Sequence, residues 1–257
     1  MIRPILAALL CAITLGSDSQ DVDRPAPASL PKAAAAMPFR AGETFEYDAS
    51  FGFLRIARGR IELSGFDTVR SRIAWRATMT INGGPPLYRV RDSTISWFDV
   101  RTGSSLRYMQ HLSEGGYKAD RLFEIYPERA VYSRNGKPES PSVAEPLDDT
   151  SFLFFLRTIP LDVGRVYTFH RYFQPEGNPV EIRVLRKERV NVPAGTYNTV
   201  VVQPLISAPG LFSAKERPEV WITDDSARIL VQIKSHVKFG SLRLALKKYT
   251  PGIASPN

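Results

Sequence analysis

Two adjacent acid pairs, Asp148-Asp149 and Asp224-Asp225, are the first candidates for chemistry in this chain. Paired carboxyls can divide acid–base labour, one holding a proton while the other takes one. Neighbouring residues of a strand, however, point to opposite faces. Each pair also has a structural reading. Asp148, Asp149, Thr150 and Ser151 crowd the front of an apolar run, where a helix start needs acceptors and negative charge, and WITDDSARIL reads as a hairpin turn. A glycosidase dyad would have to be assembled from separate strands. His111, His170 and His236 are not at metal spacing, and no His-Glu-x-x-His pattern occurs. There is no Gly-x-Ser-x-Gly elbow, no phosphate loop ending in Lys-Ser/Thr and no dinucleotide fingerprint. The sequence therefore nominates no catalytic residue, no metal and no cofactor.

Binding is better represented. In QIKSHVKF, Lys234, His236 and Lys238 share one strand face along about 13 Å. They form either the solvated side of an amphipathic strand or a groove for a polyanion. In SAPGLFSAKERPE, Leu211 and Phe212 are either tucked under the sheet or exposed as a lid or membrane-touching tip. Trp75, Trp97 and Tyr108 are candidates for the wall of a ligand pocket, since large amphipathic rings suit such sites; core packing is their other reading.

The elements that must position these residues are mostly strands. In AWRATMTI, Trp75, Ala77, Met79 and Ile81 alternate with Arg76, Thr78 and Thr80. In VEIRVLRKERVNV, Val180, Ile182, Val184, Val190 and Val192 share a face, and Arg186 and Glu188 interrupt it where we expect the strand to leave the core or to bend. The phase changes at Gly240-Ser241, between Ile233 and Leu242, which predicts a tight turn or bulge there. Asn135-Gly136 is a two-residue hairpin signal. In VNVPAGTYNTVVVQP, Pro193 presets φ and Gly195 can take positive φ, so PAGT is a bend before a strand apolar on both faces. One segment departs from this habit. Phe152, Phe155, Leu156 and Ile159 fall at helical spacing before Pro160, predicting one short helix around 150–159 that plugs a curved sheet; a buried strand is the alternative. The fold class expected is all-β: a single domain of short antiparallel strands, a half-open barrel or sandwich.

The totals set the compartment. The chain has 257 residues and a net charge of +8, compatible with nucleic acid, anionic membrane or acidic glycan. Arg3 followed by the apolar run Ile5–Leu15 and small residues reads as a cleaved export signal, 1–17, too short to span a bilayer. Residues 18–37 are a Pro/Ala-rich linker, 38–250 the folded domain and 251–257 a loose tail. The only cysteine, Cys11, lies within the signal behind Leu10, not behind the small residue a lipidation site needs. Periplasmic location without a lipid anchor, and no disulfides, are therefore expected.

PFRAGETFEYDASFGFLRIARGRIEL, DDTSFLFFLRTIPLDVG, VNVPAGTYNTVVVQP and EVWITDDSARILVQIKSHVKFGSLRLAL together resemble, in order and spacing, the bacterial exported proteins of domain of unknown function family 3108. The resemblance implies an envelope protein whose sheet is similar to the half-open barrels of lipoprotein carriers. It assigns no activity. Together these readings predict a non-catalytic binding or carrier module for an anionic amphiphile, with anionic lipid, glycan or another envelope protein as partner and at most peripheral membrane contact. A scaffolding module binding protein or cell-wall glycan, and an envelope hydrolase, are the alternatives. Dispersed arginines without a recognition helix argue against nucleic acid. Charges on both strand faces argue against a membrane barrel.

Overall fold

The computed structural model describes residues 37–84, 88–208, 212–237 and 240–253. The expected signal, all of the linker except Met37, Leu211 and Lys238 lie outside the described residues.

Two meanders make up the sheet. The first comprises β1 (Glu43–Phe51), β2 (Leu54–Val69), β3 (Arg72–Gly83), β4 (Val90–Asp99), β5 (Ser105–Glu114), β6 (Tyr117–Tyr126), β7 (Val131–Arg134) and β8 (Ser140–Pro141). The second comprises β9 (Val166–Phe169), β10 (Val180–Val192), β11 (Gly195–Leu205), β12 (Glu219–Thr223), β13 (Leu230–Val237) and β14 (Gly240–Thr250). Antiparallel pairing of β1 with β14, from Thr44↔Thr250 to Phe51↔Leu242, joins them into one curved sheet. That sheet is not closed into a barrel, and β8 and β9 stand at its two ends. Several strands are longer than the sequence pattern predicts: β2 has 16 residues and β10 has 13. Register shifts in β1, β2, β4, β10 and β12 let such long strands bend instead of breaking. One falls between Val184 and Arg186, at the interruption visible in the sequence.

The turns follow their residues. PAGT is a hairpin: Val192 pairs with Gly195, whose φ is +131°. Val200, Val201 and Val202 are all buried, as expected of a strand covered on both faces. Asn135 and Gly136 both have positive φ, and Lys137 N–H donates to the Arg134 carbonyl. The ladder does not resume directly after this turn, because β7 pairs with β8 only through Val131 and Tyr132. Gly240-Ser241 is not the turn. Val237 pairs with Gly240 and His236 with Ser241, so both belong to β14.

The connection between the meanders carries α1 (Asp149–Leu156). Asp148 caps it, accepting from the Thr150 and Ser151 amides at 2.9 Å each. Its second carboxyl oxygen takes Ser96 Oγ at 2.6 Å and Ser105 Oγ at 2.7 Å, which ties the cap to β4 and β5. The expected single apolar face is a correction. Phe152, Leu153, Phe154 and Leu156 are all buried, while Phe155 is only partly so. Lying inside the bowl, the helix is buried on most of its circumference, so no single apolar face shows in its sequence. Arg157 anchors its far end and is fully buried. It forms a fork with Glu43 at 2.7 and 2.8 Å and donates to the carbonyls of Pro38, Ala227 and Arg228 at 2.8–2.9 Å. Tyr249 completes Glu43 at 2.8 Å. With each guanidinium nitrogen donating, to a carboxylate or to backbone carbonyls, this charge is tolerated in the core.

Candidate functional site

Strand phase decides which side chains face the bowl. On β4, Thr94, Ser96 and Phe98 point inward, with Asp92 in the same phase. Ile95 and Trp97 point outward into a small convex-side cluster with Val69, Ala74, Leu106 and Met109. On β5, Tyr108, Gln110, Leu112 and Glu114 point inward. Towards one end of the sheet the inward residues of β1 and β2 shrink to Ala49 and Ala57, and Gly83 lies so close to the Ala57 backbone that it has no room for a Cβ. These short side chains leave a hollow of about 80 Å³ in the concave face. Its walls are apolar: Ile56, Met79, Ile81, Val90, Leu112, Leu242 and Leu244 complete them. One water needs about 10–15 Å³ by a comparable measure, so the space suits several waters or the end of an alkyl chain.

Three carboxyls meet this hollow. Asp92 and Glu114 enter from β4 and β5, and Asp149 from the first turn of α1. Burial, then hydrogen bonding to Asp92 and its charge, push the Glu114 carboxyl up to about 7. Tyr88 donates to it at 3.5 Å, and its ring lies over Gly115. The Ser113 amide holds Asp92 at 2.8 Å. Asp149 accepts from the hydroxyls of Tyr108 at 3.2 Å and Tyr172 at 3.1 Å. Burial and the neighbouring Asp148 push it up to about 6, against those hydrogen bonds. Gln110 Nε2 donates to Tyr108 at 3.1 Å and its carbonyl takes Arg121 at 3.2 Å, fixing this row. Among the described residues, no Lys or Arg lines the hollow. Its polar end can therefore accept from hydroxyl or ammonium groups and, while protonated, donate.

The residues nominated from sequence scatter. Tyr108 reaches the hollow. Trp75 sits in the core between Phe39 (5.7 Å) and Phe66 (4.3 Å). Trp97 is on the opposite face, its indole N–H donating to Asp67 at 2.8 Å. Phe212 is 1% exposed and packs on Phe152 at 5.2 Å, the tucked alternative of the two weighed for it. Lys234 and His236 pair across from Arg243 and Ser241, out of phase with the inward Ile233 and Leu244. They lie on the convex face and do not rim the hollow. Asp92 and Glu114 went unnoticed because each looks like an ordinary outward residue of an alternating strand.

The model of a family described as "Protein of unknown function (DUF3108)" matches residues 46–247. The chain belongs to that family. No curated protein matches its sequence. Among solved structures, this DUF3108 protein is similar to a beta-barrel-like protein of domain of unknown function DUF1849 from Brucella abortus. Identity is 10%, the TM-score is 0.51, and the match covers 84% of this chain and 100% of that one. At that identity the likeness is one of fold. Weaker matches are a candidate lipoprotein from Parabacteroides distasonis (10% identity, TM-score 0.30, 83% and 98% covered) and a candidate exported protein with a YmcC-like fold from Bacteroides fragilis (13%, 0.31, 83% and 98%).

Proposed function

We propose that this DUF3108 chain is an exported, non-catalytic binding module that takes the apolar end of an amphiphile into the hollow of its concave face. The observation that carries this is an apolar cavity left open between Ala49, Ala57 and Leu112 in the concave face. Export rests on the signal-like start, Arg3 and Ile5–Leu15. The expected anionic head gives way to one bearing a hydroxyl or amine, because Asp92, Glu114 and Asp149 supply the polar end while Lys234 and His236 point away. The test is displacement of a neutral fluorescent naphthylamine by dodecanol, dodecylamine and laurate at pH 8. Dodecanol and dodecylamine displace it, and laurate does so at least about tenfold more weakly; equal displacement by laurate removes the assigned head, and no displacement by any removes the module.

One rival has a specific observation behind it. Carboxyls from β4, β5 and α1 meeting at one hollow also suit an envelope hydrolase. Here Glu114 is engaged with Asp92, and Asp149 with two tyrosines, which favours binding over turnover. Turnover of acyl or glycosyl substrates that Glu114→Gln or Asp149→Asn abolishes would establish the hydrolase instead.

A further inference from the structure

The turn between β1 and β2 leaves Phe53 94% and Leu54 58% exposed. It is built in place: the Gly52 amide donates to the Ser241 carbonyl at 3.1 Å, which holds the tip against the start of β14. Ile56 and Leu242, within three residues of that tip or that contact, line the hollow, as do Val90 and Glu114 at the same end of β4 and β5. The tip thus stands on the rim of the cavity. Cations surround it on the outer side. Arg58 pairs across to Asn82, and Asn82 to Arg91, so both arginines flank one position on the convex face. Arg89 and Lys118 are exposed at the same end, Lys118 beside the half-exposed Tyr117. Asp48 holds Arg55 at 3.4 Å. Arg58, Arg89, Arg91 and Lys118, by contrast, have no acidic partner among the described residues. From β2 to β6 this edge spans four strand spacings, about 19 Å.

We propose that this rim is a docking site for an anionic bilayer surface, with Phe53 and Leu54 entering the headgroup boundary and Arg58, Arg89, Arg91 and Lys118 meeting lipid phosphates. Large apolar residues at a hairpin tip, backed by unpaired cations, are the two components of interfacial binding. Charge complementarity selects the occupant: on the outer face of the rim the four cations outnumber Asp48, which stands across from Arg58, and match an anionic lipid face. The proposal rests on the rim and not on any ligand in the hollow. If both hold, the hollow opens at the bilayer, and an amphiphile passes between them with little exposure to water.

The test uses Phe53→Trp in the full chain. The native tryptophans are all buried, so a new exposed indole gives a separate signal, one that binding through the apolar start of the chain does not mimic. With vesicles of one part phosphatidylglycerol to three of phosphatidylcholine, its emission shifts to the blue and lipids brominated on their acyl chains quench it. Trp in place of exposed Ile73, at the other end of β3, neither shifts nor is quenched. Adding Arg58→Glu and Arg91→Glu to Phe53→Trp weakens the quenching titration at least about tenfold. An unshifted Phe53→Trp on anionic vesicles overturns the proposal. So does quenching of Ile73→Trp to the same degree, or a shift of Phe53→Trp without bromine quenching, which would mean protein–protein contact.

Discussion

Glu114→Gln isolates what the cavity end costs the fold. The Glu114 carboxyl rises from 4.5 to about 7 on folding, so the folded state holds a proton that the unfolded state has released throughout that interval. Raising the pH through the interval therefore destabilises the native protein, and the loss is complete above about 7. A rise of that size corresponds to roughly 3 kcal/mol. In a domain of this length that is worth about 6–12 °C in melting temperature. Gln keeps the shape and a donor toward Asp92 without titrating. Urea unfolding followed by circular dichroism, at intervals from pH 4.5 to 8.5, supplies both curves. The variant should match the wild type near pH 4.5 and exceed it by about 3 kcal/mol at pH 8.5. Parallel curves would show that Glu114 titrates as an ordinary surface acid and that the buried carboxyl pair is misread.

The other predictions concern the frame around the hollow. Asp149→Asn removes a second pH-dependent cost: the carboxyl rises from 3.8 to about 6, so the variant gains on the wild type between those values and keeps the gain above them, again by roughly 3 kcal/mol, in the same unfolding assay. Arg157→Met strands the Glu43 carboxylate in the core and costs about 3–5 kcal/mol. Adding Glu43→Leu recovers only part, since the Pro38, Ala227 and Arg228 carbonyls still lose their donor; a double variant no better than the single one refutes the pairing. Asp148→Ala loses a helix cap worth about 0.5–2 kcal/mol and leaves the Ser96 hydroxyl unpaired at about 1–3 kcal/mol, while Ser105 keeps Ser151 and the residue-148 amide. Thermal unfolding that shows under about 1 kcal/mol of loss would contradict the capping role.

Much of the fold was legible, and the reason is the period of two. Phe45, Tyr47 and Ala49 bury alternately as a one-faced strand requires, and PAGT turns the chain because its proline and glycine allow little else. The helix start was legible too, since Asp148 and Ser151 form the box that the residue order suggests. The site was not. On β4 both phases contain apolar residues, and the wrong one attracts the eye: Ile95 and Trp97 look like core but face the convex cluster, while Asp92, Thr94 and Ser96 look like surface but face inward. Only the pairing register, with Val90 opposite Glu114, brings the two carboxyls together across 21 intervening positions. Lys234 and His236, by contrast, keep the face that their alternation with Ile233 predicts. Phe53 and Leu54 were missed because, between Gly52 and Arg55, they read as strand that simply continues; a glycine followed by two large apolar residues and an arginine was the available signal.

A filled cavity gives the most direct test of the whole account. Ile81→Trp places a bulky ring in the hollow from β3 while leaving Asp92, Glu114 and Asp149 in place, at a cost of about 1–3 kcal/mol from overpacking. Titrating the neutral naphthylamine against wild type and variant, each first shown to be folded, should give saturable binding for the wild type and at least a tenfold loss for Ile81→Trp. Equal affinity in the two proteins would place the ligand elsewhere and contradict the hollow as the binding site.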